Sequence, residues 1–483
     1  MSRPPRPDPV ARVVRTSARV ALWTSLAVAA LAGWLLATYS RPIPEASYVA
    51  AERDQVLWRG IDFLALPEVR LLQSYVRIDT AHPAPDEHAG AEFLAAQLAA
   101  AGVRATVERL PDRRANLWAW VEGEDPRALV LHGHLDVEPA LASAGWKHPP
   151  FGGVVEGPWI YGRGMYDMKS LTIAQLLATI DAARAGRRPR RSLLFLQTSS
   201  EETGGETGTR WILAEHPELV ARMDTLLTEG GVVEAIGPSD IKYWGIEFAQ
   251  KQLARIRFCA ADPDSLRQLK ADLRRRGQGD AQPDVDPSVV AFLASYRESR
   301  GLGLYRRLLA TPESVPLDRV RLRRLTKFQK ALFRDEVHSG RVVRAEGGGW
   351  ELEVWLHLLP GEELAAAAAR LVPEWITGAL TSTAWEPMGA GLASPLDHPD
   401  FEVVAGTVRE QFPGVPVGPY FLVQARTDAQ RYRAAGVRSY GFSPFPIVVF
   451  DTQLIGRANE RMQLPAFRQG VALYRETVRR LLD

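Results

Sequence analysis

One cysteine, Cys259, occurs in the 483 residues. A lone cysteine excludes an intrachain disulfide and a thiolate zinc site, so any metal must be held by His, Asp and Glu. An excess of charge of one sign is also missing. Lys and Arg number 59 against 57 Asp and Glu, a net charge of +2, which gives no case for nucleic-acid binding. There is no internal repeat and no long low-complexity tract, and 46% hydrophobic with 24% charged residues is close to globular averages. Collagen-like, mucin-like and wholly disordered chains are thereby excluded. At roughly 150 residues per domain the length gives about three domain equivalents, enough to bury sizeable cores.

The long uncharged apolar run spans Val20 to Tyr39 and has the length of a membrane-crossing helix. Arg3, Arg6, Arg12, Arg15 and Arg19 precede it against Asp8, and Trp23, Trp34 and Tyr39 lie near its ends. This pattern predicts a single-pass anchor with a cytoplasmic N-terminus and a periplasmic or otherwise extracytoplasmic remainder. The rival reading is a signal peptide cut near Ala37 to Ser40.

Beyond a Pro-containing stem, helical segments (88–102, 169–186) interleave with apolar strands (128–137, 192–200, 224–231), the pattern of an α/β doubly wound sheet. A β-α-β-α segment follows: 253–260, 264–275, 350–359 and a helix after it, with a mostly helical insertion over 287–336. The expected organisation is a stub, anchor and stem at 1–45, a catalytic first part at 46–243, a smaller α+β two-layer domain at 244–380 and a catalytic second part at 381–483.

Ligands of doubly wound sheets bind beyond the carboxyl ends of the strands. Four motifs stand there in order: His134-Leu135-Asp136, GRGMYDMKS with Asp167, Glu201-Glu202, and Glu229-Gly230-Gly231. An imidazole with several carboxylates suits zinc or manganese without thiolates. Hydrolysing an amide with paired metals needs a bridging carboxylate, terminal ligands and a base for water. Asp167, in a glycine-flanked loop, is the natural bridge. Of the adjacent Glu201 and Glu202, one can bind metal while the other stays free as general base. Asp136 can orient His134 from behind. Each motif alone is more often a hydrogen-bonded strand end, a solvated pair or a turn; the ordered set of four carries the inference.

These residues resemble the co-catalytic zinc aminoacylase and carboxypeptidase metallopeptidases of clan MH, and within them the carboxypeptidase S (Gly-Xaa carboxypeptidase) and N-fatty-acyl amino acid hydrolase branch. LHGHLDVEP, GWKHPPFGGVVEGPWIYGRGMYDMKS, SSEETGG, TEGG, RTDAQRY and NERM carry the resemblance in order. It implies a phosphorylase/hydrolase-like catalytic domain interrupted by a lid or dimerisation domain, and zinc, or manganese or cobalt, as cofactor. It further implies His134 and Glu229 on one metal, Asp167 bridging, Glu202 on the other, Glu201 as general base, Asp136 behind His134, and a cis peptide at Asp167-Met168. Arg426, Thr427, Asp428 and Asn459 become candidate substrate contacts, and a homodimer through the middle domain is a possible assembly.

Three departures stand out. Gly456 occupies the position of the second metal's usual histidine, and no histidine follows His398. The lid lacks its usual Gly-His-Ser histidine, and the carboxylate-recognition loop reads Ala425-Arg426-Thr427-Asp428-Ala429-Gln430. The expectation is one firm metal and a second that is weak or absent, with Asp451 the preferred substitute ligand. The function expected is a membrane-anchored hydrolase of a peptide or N-acyl amino acid. The alternative is a silent relative that binds such a molecule without turnover.

Overall fold

The computed structural model describes residues 9–39 and 52–483, apart from 283, 300–310, 319–321, 323, 324, 346, 379, 390 and 424. The stem and most of the basic stretch after 318 lie outside the described residues. The chain divides into two units, Met1–Val49 and Ala50–Asp483. In the first, Pro9–Tyr39 is one helix. Its stretch Thr16–Trp34 is long and apolar enough to cross a membrane, and its side chains are exposed throughout. A signal sequence would have the same character.

The second unit is built on a nine-stranded sheet. In chain order its strands are β1 (Ala105–Arg109), β2 (Ala115–Val121), β3 (Asp125–His134), then, after β4 (Val154–Glu156) and β5 (Trp159–Tyr161) of another sheet, β6 (Arg191–Thr198), β7 (Met223–Thr228), β8 (Val232–Gly237) and β9 (Asp240–Gln250). β10 (Gln252–Ala260), β11 (Glu336–Arg344), β12 (Trp350–Leu358), β13 (Thr381–Ser382) and β14 (Glu386–Gly389) form the lid, before β15 (Val417–Leu422), β16 (Arg438–Gly441) and β17 (Arg461–Gln463). The large sheet runs β1-β2-β6-β3-β7-β16-β9-β15, with β8 on β9. β6, β3, β7 and β16 are mutually parallel, as a doubly wound core predicts. β1, β2 and β8 pair antiparallel, as do β16 and β9, so the sheet as a whole is mixed.

Alternate side chains of the central strands enter different cores. Leu129 and Leu131 of β3, with Leu193 and Phe195 of β6, pack under the helices Ser170–Arg184 and Leu464–Leu482. Ala128, Val130, Leu194 and Leu196 pack on the opposite face with Ile212 and Tyr432. Burial on both faces explains why these strands read as continuous apolar runs. Register then aligns their carboxyl ends: His134 stands opposite Thr198, and Leu131 opposite Leu227, one residue before Thr228.

The lid is a five-stranded antiparallel sheet in the order β11-β12-β10-β13, with β14 also on β10. It is backed by the helices Pro263–Arg276 and Leu364–Leu371 around a core of its own. Its limits differ from those expected. β9 belongs to the large sheet to Gln250, so the crossover is the single residue Lys251 rather than 244, and residues 381–389 pair inside the lid. The insertion helix Pro287–Tyr296 joins the large core, Phe292 meeting Tyr420 at 5.0 Å between ring centroids. A three-stranded sheet, β17-β5-β4, ties the segment before Asp167 to the C-terminal loop.

Candidate active site

The four motifs converge at the aligned strand ends. His134, 2% exposed, donates from Nδ1 to the Asp136 carbonyl oxygen at 2.9 Å, which turns Nε2 outward. Nε2 faces Asp167 Oδ1 at 2.9 Å and Glu229 Oε2 at 3.6 Å. Asp136 thus acts behind His134 chiefly through its main chain. Its carboxylate is 3.5 Å from Nδ1 but pairs with His82 Nε2 at 2.7 Å and accepts from the backbone N–H of Glu201 at 3.0 Å and Glu202 at 3.1 Å. The group ties the end of β3 to the Glu201–Glu202 turn. That turn starts at Ser200, a non-glycine residue at φ 56°, the kind of backbone strain held where a side chain must be aimed.

Asp167 is presented by a loop whose Gly164 has φ 81° and no room for a Cβ, which would sit 2.6 Å from Val137 Cγ1. The Asp167-Met168 peptide is cis, as the resemblance implies. The loop is braced by a buried pair, Arg163 Nη1 to Glu460 Oε2 at 2.7 Å, and Glu460 Oε1 accepts from Tyr166 N at 3.0 Å. The glutamate of NERM is therefore a brace for the loop that presents Asp167.

Ligand atoms of His134, Glu201 and Glu229 lie within 4.8 Å of one another. Burial, and after it the charge of Asp167, raises Glu202 and Glu229 well above the usual carboxylate range. Burial lifts Glu201 to about 7 against the pull of Arg426. Glu202 Oε1 is buried without a hydrogen-bond partner. Packed carboxylates, an imidazole whose Nε2 faces two of them and an orphaned oxygen form a donor set that a divalent cation would satisfy. His134, Asp167 and Glu229 could hold one ion, and Glu202 lines the same cavity.

A cavity of about 540 Å³ opens over this cluster. Arg426 and Thr427 line it, and Arg426 donates from Nη2 to the Glu201 carbonyl. Three expected residues do not. Asp428 is buried, accepting from Thr209 at 2.6 Å and from Arg431 at 2.8 Å. Asn459 accepts from Lys147 N at 2.6 Å and fastens the preceding loop. Asp451, the preferred substitute ligand, pairs through Oδ1 with Arg461 at 3.0 Å, and its Oδ2 is buried without a hydrogen-bond partner. Glu138, Trp355, His338 and His357, which sequence reasoning left without a role here, line the cavity. The two histidines are 4.6 Å apart between ring centroids. Period-two alternation in β12 carried a signal for two of them. Leu352, Val354, Leu356 and Leu358 fill the lid core, which leaves Trp355 and His357 on the other face.

Residues 130–480 match the family model for peptidase family M20/M25/M40. The chain belongs to this family. Rat (Rattus norvegicus) aminoacylase-1A is 25% identical over 85% of this chain and 94% of its own length. Succinyl-diaminopimelate desuccinylase of Dinoroseobacter shibae is 36% identical over 31% of this chain, a stretch spanning only 37% of that protein. Among solved structures, an M20 family metallo-carboxypeptidase from Sulfolobus solfataricus shares the fold with a TM-score of 0.63 at 13% identity, over 86% of this chain and 99% of that one. The di-peptidase Dug1p of Saccharomyces cerevisiae gives 0.62 at 14%, over 88% and 98%. This kinship puts the M20 chain among metallopeptidases and amide hydrolases.

Proposed function

We propose that this chain is a membrane-anchored hydrolase of amide bonds in a small peptide or N-acyl amino acid, with Glu201 as general base. The observation that carries the reading is Glu201 itself. It is a buried carboxylate beside the His134 and Glu229 ligand atoms, with burial lifting it to about 7, the range in which one group can accept a proton and return it. A bound divalent ion would supply Lewis acidity for the reaction. His134, Asp167 and Glu229 would hold it, Glu201 takes the proton of the attacking water and delivers it to the leaving nitrogen, and Asp136 keeps His134 and the Glu201 turn in register. Arg426, with Trp355 5.9 Å from its guanidinium, is the group we assign to an anionic end of the substrate. Leu171, Phe445, Ile447 and Ile455 offer an apolar wall for its side chain or acyl group. The W-x-x-P-P-F spacing before GRG supports the carboxypeptidase S-like branch.

The test is a panel of dipeptides and N-acyl amino acids offered to the zinc- or manganese-loaded protein beside Glu201→Gln. Turnover reduced about 10²–10⁴-fold with metal content unchanged is the expected result. Absence of turnover from the folded, metal-loaded wild type would instead identify a binding protein.

A further inference from the structure

The turn that carries Glu201 is held from behind by a buried chain of side chains outside the cleft. Its three successive backbone N–H groups all end on buried carboxylates. Ser200 N donates to Glu87 Oε1 at 3.3 Å, Glu201 N to Asp136 Oδ1 at 3.0 Å and Glu202 N to Asp136 Oδ2 at 3.1 Å. Glu87, fully buried, opens the helix Glu87–Ala100 and also accepts from Ala115 N at 3.0 Å. The two carboxylates are linked to each other. Arg114 Nη1 pairs with Glu87 Oε1 at 2.7 Å and its Nη2 lies 3.4 Å from His82 Nδ1, while His82 Nε2 stands 2.7 Å from Asp136 Oδ2. A guanidinium can only donate, so Arg114 takes Nδ1 as an acceptor and leaves the His82 proton on Nε2, pointing at Asp136. Main-chain bonds fix the segment of His82 beside the end of β3, Val137 N donating to Thr80 O at 3.0 Å and His82 N to Val137 O at 3.2 Å. Glu87, Arg114 and His82 do not line the cavity. Burying such groups carries a desolvation cost that apolar packing of the same volume would avoid, so the set is a weak source of stability. What it supplies is direction.

We infer that His82, with Arg114 and Glu87 behind it, is a positioning residue for Glu201. It keeps the Asp136 carboxylate turned so that each oxygen meets one N–H of the turn, and so holds the Ser200–Glu202 backbone, at φ 56° in Ser200, in the conformation that presents Glu201 to the cavity. The inference rests on the hydrolase reading. Without the His82 donor, the Asp136 carboxylate is free to rotate away from one of its two N–H partners. Without the Glu87 carboxylate, Arg114 loses the partner that aims it at His82. Either change lets Glu201 leave the position from which it reaches the attacking water, which slows turnover more than it weakens substrate binding.

The full chain in detergent, loaded with zinc, is assayed on the dipeptide and N-acyl amino acid panel, with zinc content and thermal midpoint measured for each variant. His82→Phe, which keeps a ring and removes the donor, should lower kcat about tenfold with KM within about twofold and zinc content unchanged. His82→Gln, whose amide can donate to Asp136 from the place of Nε2, should recover most of that loss. Glu87→Gln should lower kcat by a similar factor, and the two losses should not multiply when Glu87→Gln is combined with His82→Phe, as for groups in one network. If His82→Phe does not fold, His82→Asn takes its place, its shorter amide leaving Asp136 without the donor that His82→Gln retains. Wild-type kcat in the donor-free variant, or a loss that His82→Gln does not recover, would overturn the proposal. Absence of turnover by the folded, zinc-loaded wild type on every member of the panel would overturn the hydrolase reading, and this inference with it.

Discussion

Arg163 and Glu460 show how much of this site is held by residues that touch no substrate. Both are almost fully buried, they pair at 2.7 Å, and Glu460 also accepts from the backbone of Tyr166, next to Asp167. Arg163 further donates to the carbonyls of Pro139, Gly456 and Arg457, so one guanidinium joins the loops that follow β3 and precede β17. Removing it leaves a buried, uncompensated carboxylate. Arg163→Met is therefore expected to lower stability by about 3–5 kcal/mol in chemical denaturation and to weaken zinc binding. Arg163→Met with Glu460→Leu should regain part of the stability but not the zinc affinity, because the brace on Tyr166 is gone. A double variant with wild-type zinc affinity would show that the brace has no bearing on the metal. The same pair marks what could be read in advance. GRGMYDMKS and NERM stand out in the sequence, but that the glutamate of one braces the aspartate of the other is a long-range contact no local pattern encodes. His134, Asp167 and Glu229 were legible because each ends an apolar strand or enters a glycine-marked loop. Glu138 was not, because nothing in its spacing separates it from a solvated carboxylate.

At the scale of elements, the lid's period-two strands carry both its core and its cleft face. β11 and β12 pair so that His338 stands opposite Trp355 and Glu336 opposite His357. Glu336 is buried with Lys251, the single crossover residue, at 3.5 Å, and its carboxylate lies 3.8 Å from His338 Nε2. Burial works against Glu336's ionisation, yet its cationic surroundings bring it down to about 2, so it stays charged and backs the His338 ring. His338 lines the cavity, so with it replaced by Gln we expect kcat/KM to fall about tenfold through a lost polar contact to the substrate, with metal content unaltered. His357 behaves differently: burial, then the neighbouring His338, depresses it to about 3 from 6.5. A histidine held neutral in the fold binds its proton more readily when unfolded, so its contribution is complete above about pH 6.5 and is lost as pH falls from there toward 3. At pH 5 the loss is about 2 kcal/mol. Thermal midpoints measured from pH 7 to 4.5 should therefore fall less steeply in His357→Gln than in the wild type. The slope should not vanish, because His132, driven to about 4 by burial, adds its own. Sheet membership at the lid's edge is hidden from the sequence for a related reason. Strand and helix signals mark elements, but β9 and β10 are separated by one residue, and only pairing partners reveal that they belong to different sheets.

For the whole molecule, the N-terminal helix bears on where the hydrolase works. Thr16–Trp34 is apolar and exposed along its length, and Arg12, Arg15 and Arg19 stand at its N-terminal end. Transferring such a surface from water is favourable by about 25 cal/mol per Å² of apolar area, which a soluble unit would forgo. For an anchor, basic residues on one flank favour an orientation with the arginine-bearing end in the cytoplasm. An anchor and a cleaved signal sequence share this chemistry up to the moment of processing, and they part on a measurable outcome. As an anchor, the chain keeps its N-terminus, stays with the membrane pellet through alkaline carbonate extraction, and yields to protease added from the outer side except for a small fragment containing the helix. As a signal sequence, it starts near residue 40 by mass spectrometry and appears in the soluble extracytoplasmic fraction. We expect the first outcome. The run of apolar residues is longer than the ~7–15 residues of a signal sequence's apolar region, and Trp23 and Trp34 fit an interface on either side of a spanning helix. A soluble, shortened chain would remove the anchor from the proposal and leave the catalytic unit's chemistry untouched, since every residue assigned to the metal or the base lies beyond residue 130.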